Sequence, residues 1–250
     1  MAYRYLFGPV VSRRLGISLG VGLVPPKTCN FDCVYCECGP TTNLTCERRD
    51  YVPADQVIAE LDDCLGKAPD LDYVTFAGSG EPTLHARIGE IIGFLKDRYP
   101  RYRVAVLTNS TLLADPDVRA ALMRADLVAP SLDAVSGERF QQLNRPCPGV
   151  TPEGVVAGLR DFVREYPGEV WLEIFIVPGI NDRDDEIQRL KGAIATINPD
   201  RVQVNTLDRP GTEPGVRPAP LPVLERIAAE LGGEVIGAES TERVQPGRGR

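Results

Sequence analysis

The 250-residue chain has one histidine, one tryptophan, two methionines, no excess of basic residues and no long hydrophobic run. No stretch approaches the roughly 20 apolar residues that a membrane-spanning helix needs, so a membrane partner is not expected. Lys and Arg number 28 against 35 Asp and Glu, a net charge of −7 with an isoelectric point near 5.0. That balance gives no global steering toward nucleic acid, and any RNA contact needs a local basic patch. Arg4, Arg13, Arg14 and Lys27 make one basic stretch, for which surface charge is the commoner reason. The lone His85 follows Pro82-Thr83-Leu84 and aligns with Ile88 and Ile92, the position of a helix-start contact rather than of a catalytic base. With 43% hydrophobic and 25% charged residues, wholesale disorder is excluded too.

Cysteine is what the chain has in quantity. There are seven, an odd number, and three lie in one short run with no secretory leader ahead of them. Such a set points to a reducing cytoplasm and to ligation chemistry rather than to a disulfide scaffold. Ser12-Arg13-Arg14-Leu15 and the apolar run to Val24 look like a twin-arginine export signal. No small-residue cleavage site follows, only Pro25-Pro26-Lys27, and cleavage there would leave the cysteine run at the new terminus. The cytoplasm is the expected compartment.

Strand and helix signals alternate along the chain. Apolar runs at Leu19–Val24, Tyr73–Phe76, Val104–Leu107, Leu127–Leu132, Val170–Val177 and Val202–Val204 read as six strands. Helical stripes follow each: Val57, Leu61 and Leu65; Ile88, Ile92 and Leu95; Val118 and Leu122; Val155, Leu159 and Phe162; Ile187, Leu190 and Ile194; Leu224, Ile227 and Leu231. Thr151 is a good N-cap with Pro152 at the first helical position. Val235-Ile236 suggests a short seventh strand. A parallel crossover needs a helix to return the chain, so the pattern specifies an α/β fold with a parallel sheet and outer helices. An open sheet and a partial barrel both place function at the carboxyl ends of the strands. We expect one domain over residues 1–238, with an extension at 1–16, a cysteine loop at 25–50 and a flexible tail at 239–250.

Cys29-Asn30-Phe31-Asp32-Cys33-Val34-Tyr35-Cys36 spaces three thiols as C-x3-C-x2-C directly after the first strand. Thiolates are the usual ligands of iron–sulfur clusters, and three ligands for four irons leave one iron open to a small molecule. Zinc completed by Cys38 is a competitor, but zinc sites usually come as two well-separated pairs. A fully ligated electron-transfer cluster using Cys38 is another, though the gap from Cys36 is tight for a fourth corner.

This spacing, Tyr35 before the last cysteine, and Gly78-Ser79-Gly80-Glu81-Pro82 after strand two together resemble the radical S-adenosylmethionine (SAM) superfamily. Phe7-Gly8-Pro9-Val10-Val11-Ser12-Arg13-Arg14-Leu15-Gly16 and Pro25-Pro26-Lys27-Thr28 look like a narrower group, the iron–sulfur oxidoreductases related to wyosine-forming tRNA enzymes. The resemblance implies a partial (β/α)6 barrel with a [4Fe-4S] cluster on Cys29, Cys33 and Cys36. It implies that SAM chelates the fourth iron, and that one electron cleaves it to methionine and a 5′-deoxyadenosyl radical that abstracts a substrate hydrogen. An external donor of flavodoxin or ferredoxin type is the implied partner. The wyosine enzymes draw a second cluster from cysteines upstream of the main motif, and this chain has none before Cys29.

The same resemblance assigns a cofactor pocket. Backbone carbonyls of the Gly78, Gly80 and Glu81 turn would receive the methionine ammonium, with Glu81 also able to position the loop. Asn109, Ser131, Asp133 and Asn205 at strand ends would meet the carboxylate and ribose, although turn and cap roles suit these residues equally. Glu173, alone in an apolar strand, must face a polar site or pair with an arginine, because burying it unpaired costs several kcal/mol. Val177-Pro178-Gly179-Ile180-Asn181-Asp182 resembles the turn that contacts adenine and reads equally as an ordinary strand-to-helix turn. Cys64 falls on the core face of its helix. Cys38, Cys46 and Cys147 lie in loops and have no assigned role beyond a possible second cluster. The substrate is open among a nucleobase or tRNA, a peptide and a metabolite. An activating enzyme for a glycyl-radical protein is the alternative, and a non-catalytic iron–sulfur carrier or zinc scaffold is the alternative of another class.

Overall fold

A computed structural model of the chain describes residues 3–236, so the expected tail at 239–250 lies outside the described residues. The chain starts with an antiparallel hairpin, β1 (Leu6–Ser12) and β2 (Gly16–Val21), with Leu6 opposite Val21 and Ser12 opposite Gly16. Two short parallel strands, β3 (Thr28–Cys29) and β4 (Asn43–Leu44), lie inside the cysteine loop. Then come α1 (Ala54–Gly66), β5 (Tyr73–Phe76), α2 (Ile88–Arg98), β6 (Arg103–Thr108), α3 (Pro116–Leu122) and β7 (Leu127–Pro130). The chain continues with α4 (Gly137–Asn144), α5 (Pro152–Glu165), β8 (Glu169–Phe175), α6 (Asp184–Ile197), β9 (Arg201–Asn205), α7 (Leu221–Leu231) and β10 (Glu234–Val235).

One eight-stranded sheet runs in the order β1-β2-β5-β6-β7-β8-β9-β10. Every pairing after the hairpin is parallel, as the alternation of strands and helices requires. The sheet has two unlike faces. Val74, Val104, Val106, Leu172, Ile174 and Val204 point outward into the main core, where the helical stripes cover them. On the other face Tyr73, Ala105, Leu127 and Trp171 form a separate small cluster around Leu15, a residue of the hairpin turn.

The sheet is curled. Arg14, in the same turn, forms an ion pair with Glu173 of β8, four strand steps from β2. In a flat sheet those strands would stand about 19 Å apart at ~4.8 Å per step, beyond an arginine's reach. Among the described residues β1 and β10 are not bonded to each other, so the sheet stays open along one side.

Three elements differ from the sequence reading. The first strand ends at Val21 rather than Val24: the Gly22 amide makes the last bond in register with the β1 side, to the Tyr5 carbonyl at 2.9 Å, and Leu23-Val24 lie beyond the ladder. Strand β1 carries no strand signal of its own, since Gly8-Pro9 interrupts it and its pairing slips between Phe7 and Val10. Helix α4 offers only Phe140 and Leu143 as buried apolar positions, too few for a periodic stripe. The Thr151 cap forms as expected, its hydroxyl accepting from the Gly154 amide at 3.1 Å. No described helix is long and apolar enough to cross a membrane. Because Leu15 is 4% exposed and closes the inner cluster, Leu15→Ala should lower stability by about 2–5 kcal/mol, read as the shift of a denaturant midpoint.

Candidate functional site

The cysteine loop has almost no regular structure, so its backbone groups bond to three neighbouring segments. On one side the Lys27 amide donates to the Ser79 carbonyl at 2.7 Å and the Glu81 amide to the Thr28 carbonyl at 3.1 Å. These bonds press the Gly78–Glu81 turn against β3. A Cβ on Gly80 would lie 2.2 Å from the Thr28 carbonyl oxygen, so only glycine fits there. On the opposite side the end of α4 closes the loop. The Asp32 and Val34 amides donate to the Asn144 and Leu143 carbonyls at 2.9 and 3.0 Å, and the Cys147 amide donates to the Asn30 carbonyl at 2.9 Å. The third wall is the segment after β9. Glu37 accepts from the Asp208 and Arg209 amides, at 2.9 and 3.0 Å, and the Thr212 hydroxyl donates to the Cys36 carbonyl at 3.1 Å.

Each of the three motif thiols receives an N–H donor. Cys29 Sγ accepts from the Phe31 amide and from Asn109 Nδ2, both at 3.5 Å. Cys33 Sγ accepts from Asn144 Nδ2 at 3.5 Å, and Cys36 Sγ from Lys27 Nζ at 3.0 Å. Burial, with the Glu81 carboxylate behind it, pushes Cys29 up to about 12, and burial with Asp133 raises Cys33. Cys36 moves the other way, to about 5, through its contact with the Cys38 thiol and then through Lys27. Among the described residues no three His, Cys, Asp or Glu side chains converge on one point, as a single tetrahedral ion with ~2.3 Å thiolate bonds requires. A cluster takes one thiolate per iron, so its ligand sulfurs surround a larger group and stand farther apart than those on a single ion. Three thiols with donors to their sulfurs and low-dielectric surroundings fit that second kind of group.

The residues expected to bind a cofactor divide into two sets. Gly78 and Gly80 line a cavity of about 930 Å³, together with Phe7, Pro25, Cys38 and Leu107. Asn109, Ser131, Glu173 and Asn205 lie on the inner face at the carboxyl ends of β6 to β9 or just past them. Asn109 braces Cys29, and Asn205 Nδ2 donates to Glu173 Oε1 at 3.1 Å. Glu173 pairs with Arg14, both side chains only about 15% exposed, so the ion pair foreseen as its alternative is present.

Glu81 and Asp133 point elsewhere. The Glu81 carboxylate, fully buried, accepts from the Thr83 amide and hydroxyl, the Thr108 hydroxyl and the Asn109 amide at 2.6–3.0 Å. It ties the turn after β5 to the end of β6 and leaves only its backbone for a ligand. Asp133, expected to meet a ligand, instead accepts from the Tyr35 hydroxyl, from Asn144 Nδ2 at 2.9 Å and from the Phe175 amide at 3.0 Å. These three bonds tie the cysteine loop to the end of α4 and the end of β8. Tyr35 itself stacks on Phe175 with ring centroids 4.0 Å apart. In the Val177–Asp182 turn, Asn181 is a buried brace, bonded to the Val177 amide and to the Asp133 and Phe175 carbonyls at 2.7–2.8 Å.

The remaining candidates have structural places. His85 is fully buried, its Nε2 at 2.8 Å from the Val52 carbonyl, and burial lowers its pKa. Cys64 packs half-buried against the main core. Cys46 and Cys147 come together beside the loop, and burial followed by the Cys147 contact pushes Cys46 up to about 12. Sequence reasoning gave Asn144 no place beside the motif. Asn144 lies more than a hundred residues from Cys33 along the chain and belongs to a helix with no periodic signal, so nothing local marks it.

The Radical SAM superfamily profile matches residues 23–190. A UPF0026 protein of Methanocaldococcus jannaschii is 34% identical over 92% of this chain and 72% of its own length. A protein of Brachyspira hyodysenteriae named GTPase Obg is 40% identical over 82% of this chain, which spans only 30% of that relative. Among solved structures, a radical SAM methyltransferase from Sphaerobacter thermophilus superposes with a TM-score of 0.66 at 18% identity, covering 87% of this chain and 65% of that one. At that identity the likeness is one of fold.

Burial raises the Asp133 pKa to about 6, above its unfolded value near 3.9. The group therefore favours folding most below pH ~4, and that contribution is lost as pH rises through about 6. In cluster-free protein, the stability difference between wild type and Asp133→Asn should fall over this window, by up to about 3 kcal/mol, measured by urea denaturation at each pH.

Proposed function

The chain belongs to the radical SAM superfamily, within it to the UPF0026 group, and from that premise we propose that it is a radical enzyme whose [4Fe-4S] cluster is held by Cys29, Cys33 and Cys36. The observation that carries this reading is the trio of thiols, each with an N–H donor, beside a glycine turn that opens on a 930 Å³ cavity. When reduced and bound to SAM, such a cluster supplies the electron that cleaves the cofactor to a 5′-deoxyadenosyl radical, which takes a hydrogen from substrate. The protein's own residues orient and shield.

Gly78 and Gly80 line that cavity, and their carbonyls are the groups proposed for the methionine ammonium. Ser131, whose hydroxyl has no bonded partner among the described residues, and Asn205 are the polar groups proposed for the carboxylate and ribose. Tyr35, stacked on Phe175 and bonded to Asp133, keeps the last two thiols in place, and Glu81 and Asp133 fix the loops from below. The segment after β9 is bonded to the Cys36 carbonyl through the Thr212 hydroxyl and is proposed to shield that side of the loop. The electron comes from an external one-electron carrier of flavodoxin or ferredoxin type. The open side of the sheet leaves room for a substrate that is itself large, an RNA or a protein, as well as for a metabolite. A non-catalytic carrier would need a fourth thiolate, and Cys38, separated from Cys36 only by Glu37, is tight for a fourth corner.

Anaerobic reconstitution followed by incubation with SAM and a strong reductant tests the reading. Wild type should hold close to four irons per chain, shift its reduced-cluster electron paramagnetic resonance spectrum on adding SAM, and release 5′-deoxyadenosine. Cys29→Ala, Cys33→Ala and Cys36→Ala should each lose the cluster and this product at least a hundredfold, while Cys38→Ala keeps both. Undiminished product from the three motif variants would refute the assignment.

A further inference from the structure

Lys27 is held in a conformation that lysine does not favour. Its φ of 61° lies in the left-handed region, which is strained for a non-glycine residue and persists only where the surroundings impose it. They do so from both sides. Its amide donates to the Ser79 carbonyl at 2.7 Å, and its carbonyl accepts from the Thr42 and Asn43 amides at 3.1 Å. One residue thus joins the glycine turn, β3 and the far end of the cysteine loop. Glycine would meet those backbone demands with less strain, so the side chain is the part that glycine could not supply.

That side chain ends on sulfur. Lys27 Nζ donates to Cys36 Sγ at 3.0 Å, whereas Cys29 and Cys33 receive only neutral amide N–H groups at 3.5 Å. The charge around the three thiols is otherwise unfavourable to an incoming electron. The buried carboxylates Glu81 and Asp133 stand behind Cys29 and Cys33, and both are braced for structural reasons. With three thiolates, a [4Fe-4S] core passes from a net charge of −1 to −2 when the external carrier gives it one electron. A fixed ammonium on one ligand sulfur offsets part of that added charge, through both its charge and its hydrogen bond.

We propose that Lys27 tunes the cluster, raising its reduction potential through the ammonium bonded to Cys36 so that the external carrier can reduce it. This rests on the cluster assignment above. Lys27 acts through Cys36 and keeps its own protons throughout, so it is a positioning and tuning residue rather than a catalytic one.

Redox titration of the reconstituted protein without SAM, followed by electron paramagnetic resonance, tests it. Lys27→Gly suits the left-handed backbone and removes the ammonium, so its denaturation midpoint should not fall. Its cluster should be harder to reduce by about tenfold in the equilibrium constant, a shift of ~59 mV to more negative potential for one electron. Lys27→Gln, which keeps a donor without the charge, should lie between, and Lys27→Arg should stay within threefold of wild type. Full iron and sulfide content in Lys27→Gly with an unchanged potential overturns the proposal and leaves the cluster assignment standing. Loss of the cluster from both the Gly and Gln variants, with the Arg variant loaded, assigns Lys27 to holding the cluster and also overturns it. A wild-type chain that takes up no cluster fails the assignment itself, and this proposal with it.

Discussion

The backbone of the cysteine loop must find partners outside itself, and much of the architecture around the site follows from that need. A buried amide or carbonyl without a partner costs 1–3 kcal/mol, and this loop has too little regular structure to satisfy its own. The three segments that serve it come from distant parts of the chain: the turn after β5, the end of α4 and the segment after β9. Each belongs to a strand–helix unit fixed by the main core. The parallel sheet therefore delivers, at one edge, the set of donors and acceptors that an irregular three-thiol loop requires.

Two buried carboxylates do much of the bracing, and their chemistry explains why acids are used in so apolar a place. Glu81 gathers donors from four groups on two strand ends, and Asp133 gathers a phenol, a side-chain amide and a backbone amide. A neutral side chain of similar size has fewer acceptor sites and would leave several of those donors unpaired. Burial raises the pKa of both carboxyls, so the hydrogen bonds recover only part of the lost hydration. Rigidity of the loop is obtained against that electrostatic penalty. The same negative charge gives Lys27 its importance, because it is the charged donor that reaches a motif sulfur.

The strand–helix order, the six parallel strands and the Thr151 cap are legible in the sequence because each is a local pattern with a period or a cap chemistry. The thiols and the glycine turn are legible for the same reason. The direction of a side chain is not. Asp133 stands where a ligand contact is expected, yet its carboxylate faces donors from Tyr35 and Phe175, far off in sequence. Only the folded packing decides between a ligand and a neighbour as the acceptor's partner. Strand β1 escaped notice for a related reason. Its pairing comes from β2, while Gly8-Pro9 erases the alternation that would have announced it. Lys27 reads as one basic residue among several until its backbone angle and its three backbone bonds are known.

The hairpin turn shows how the fold separates stability from chemistry along a single axis. Leu15 packs among Tyr73, Ala105, Leu127 and Trp171 and closes the inner face at the amino ends of the strands. One step beyond Trp171, Arg14 meets Glu173, which lies level with Ser131; Asn109 and Asn205 add polar groups on this face, where Phe175 also stacks on Tyr35. In β6 and β7 the change from apolar floor to polar mouth, from Ala105 to Asn109 and from Leu127 to Ser131, takes four residues, about 13 Å at ~3.3 Å per residue. The Arg14–Glu173 pair marks that boundary. Its partners belong to elements four strand steps apart, and breaking it would leave a largely buried carboxylate unpaired. That penalty falls on any flattening of the sheet, so the contact that separates floor from mouth also holds the curvature that brings Asn109, Ser131 and Asn205 around one space.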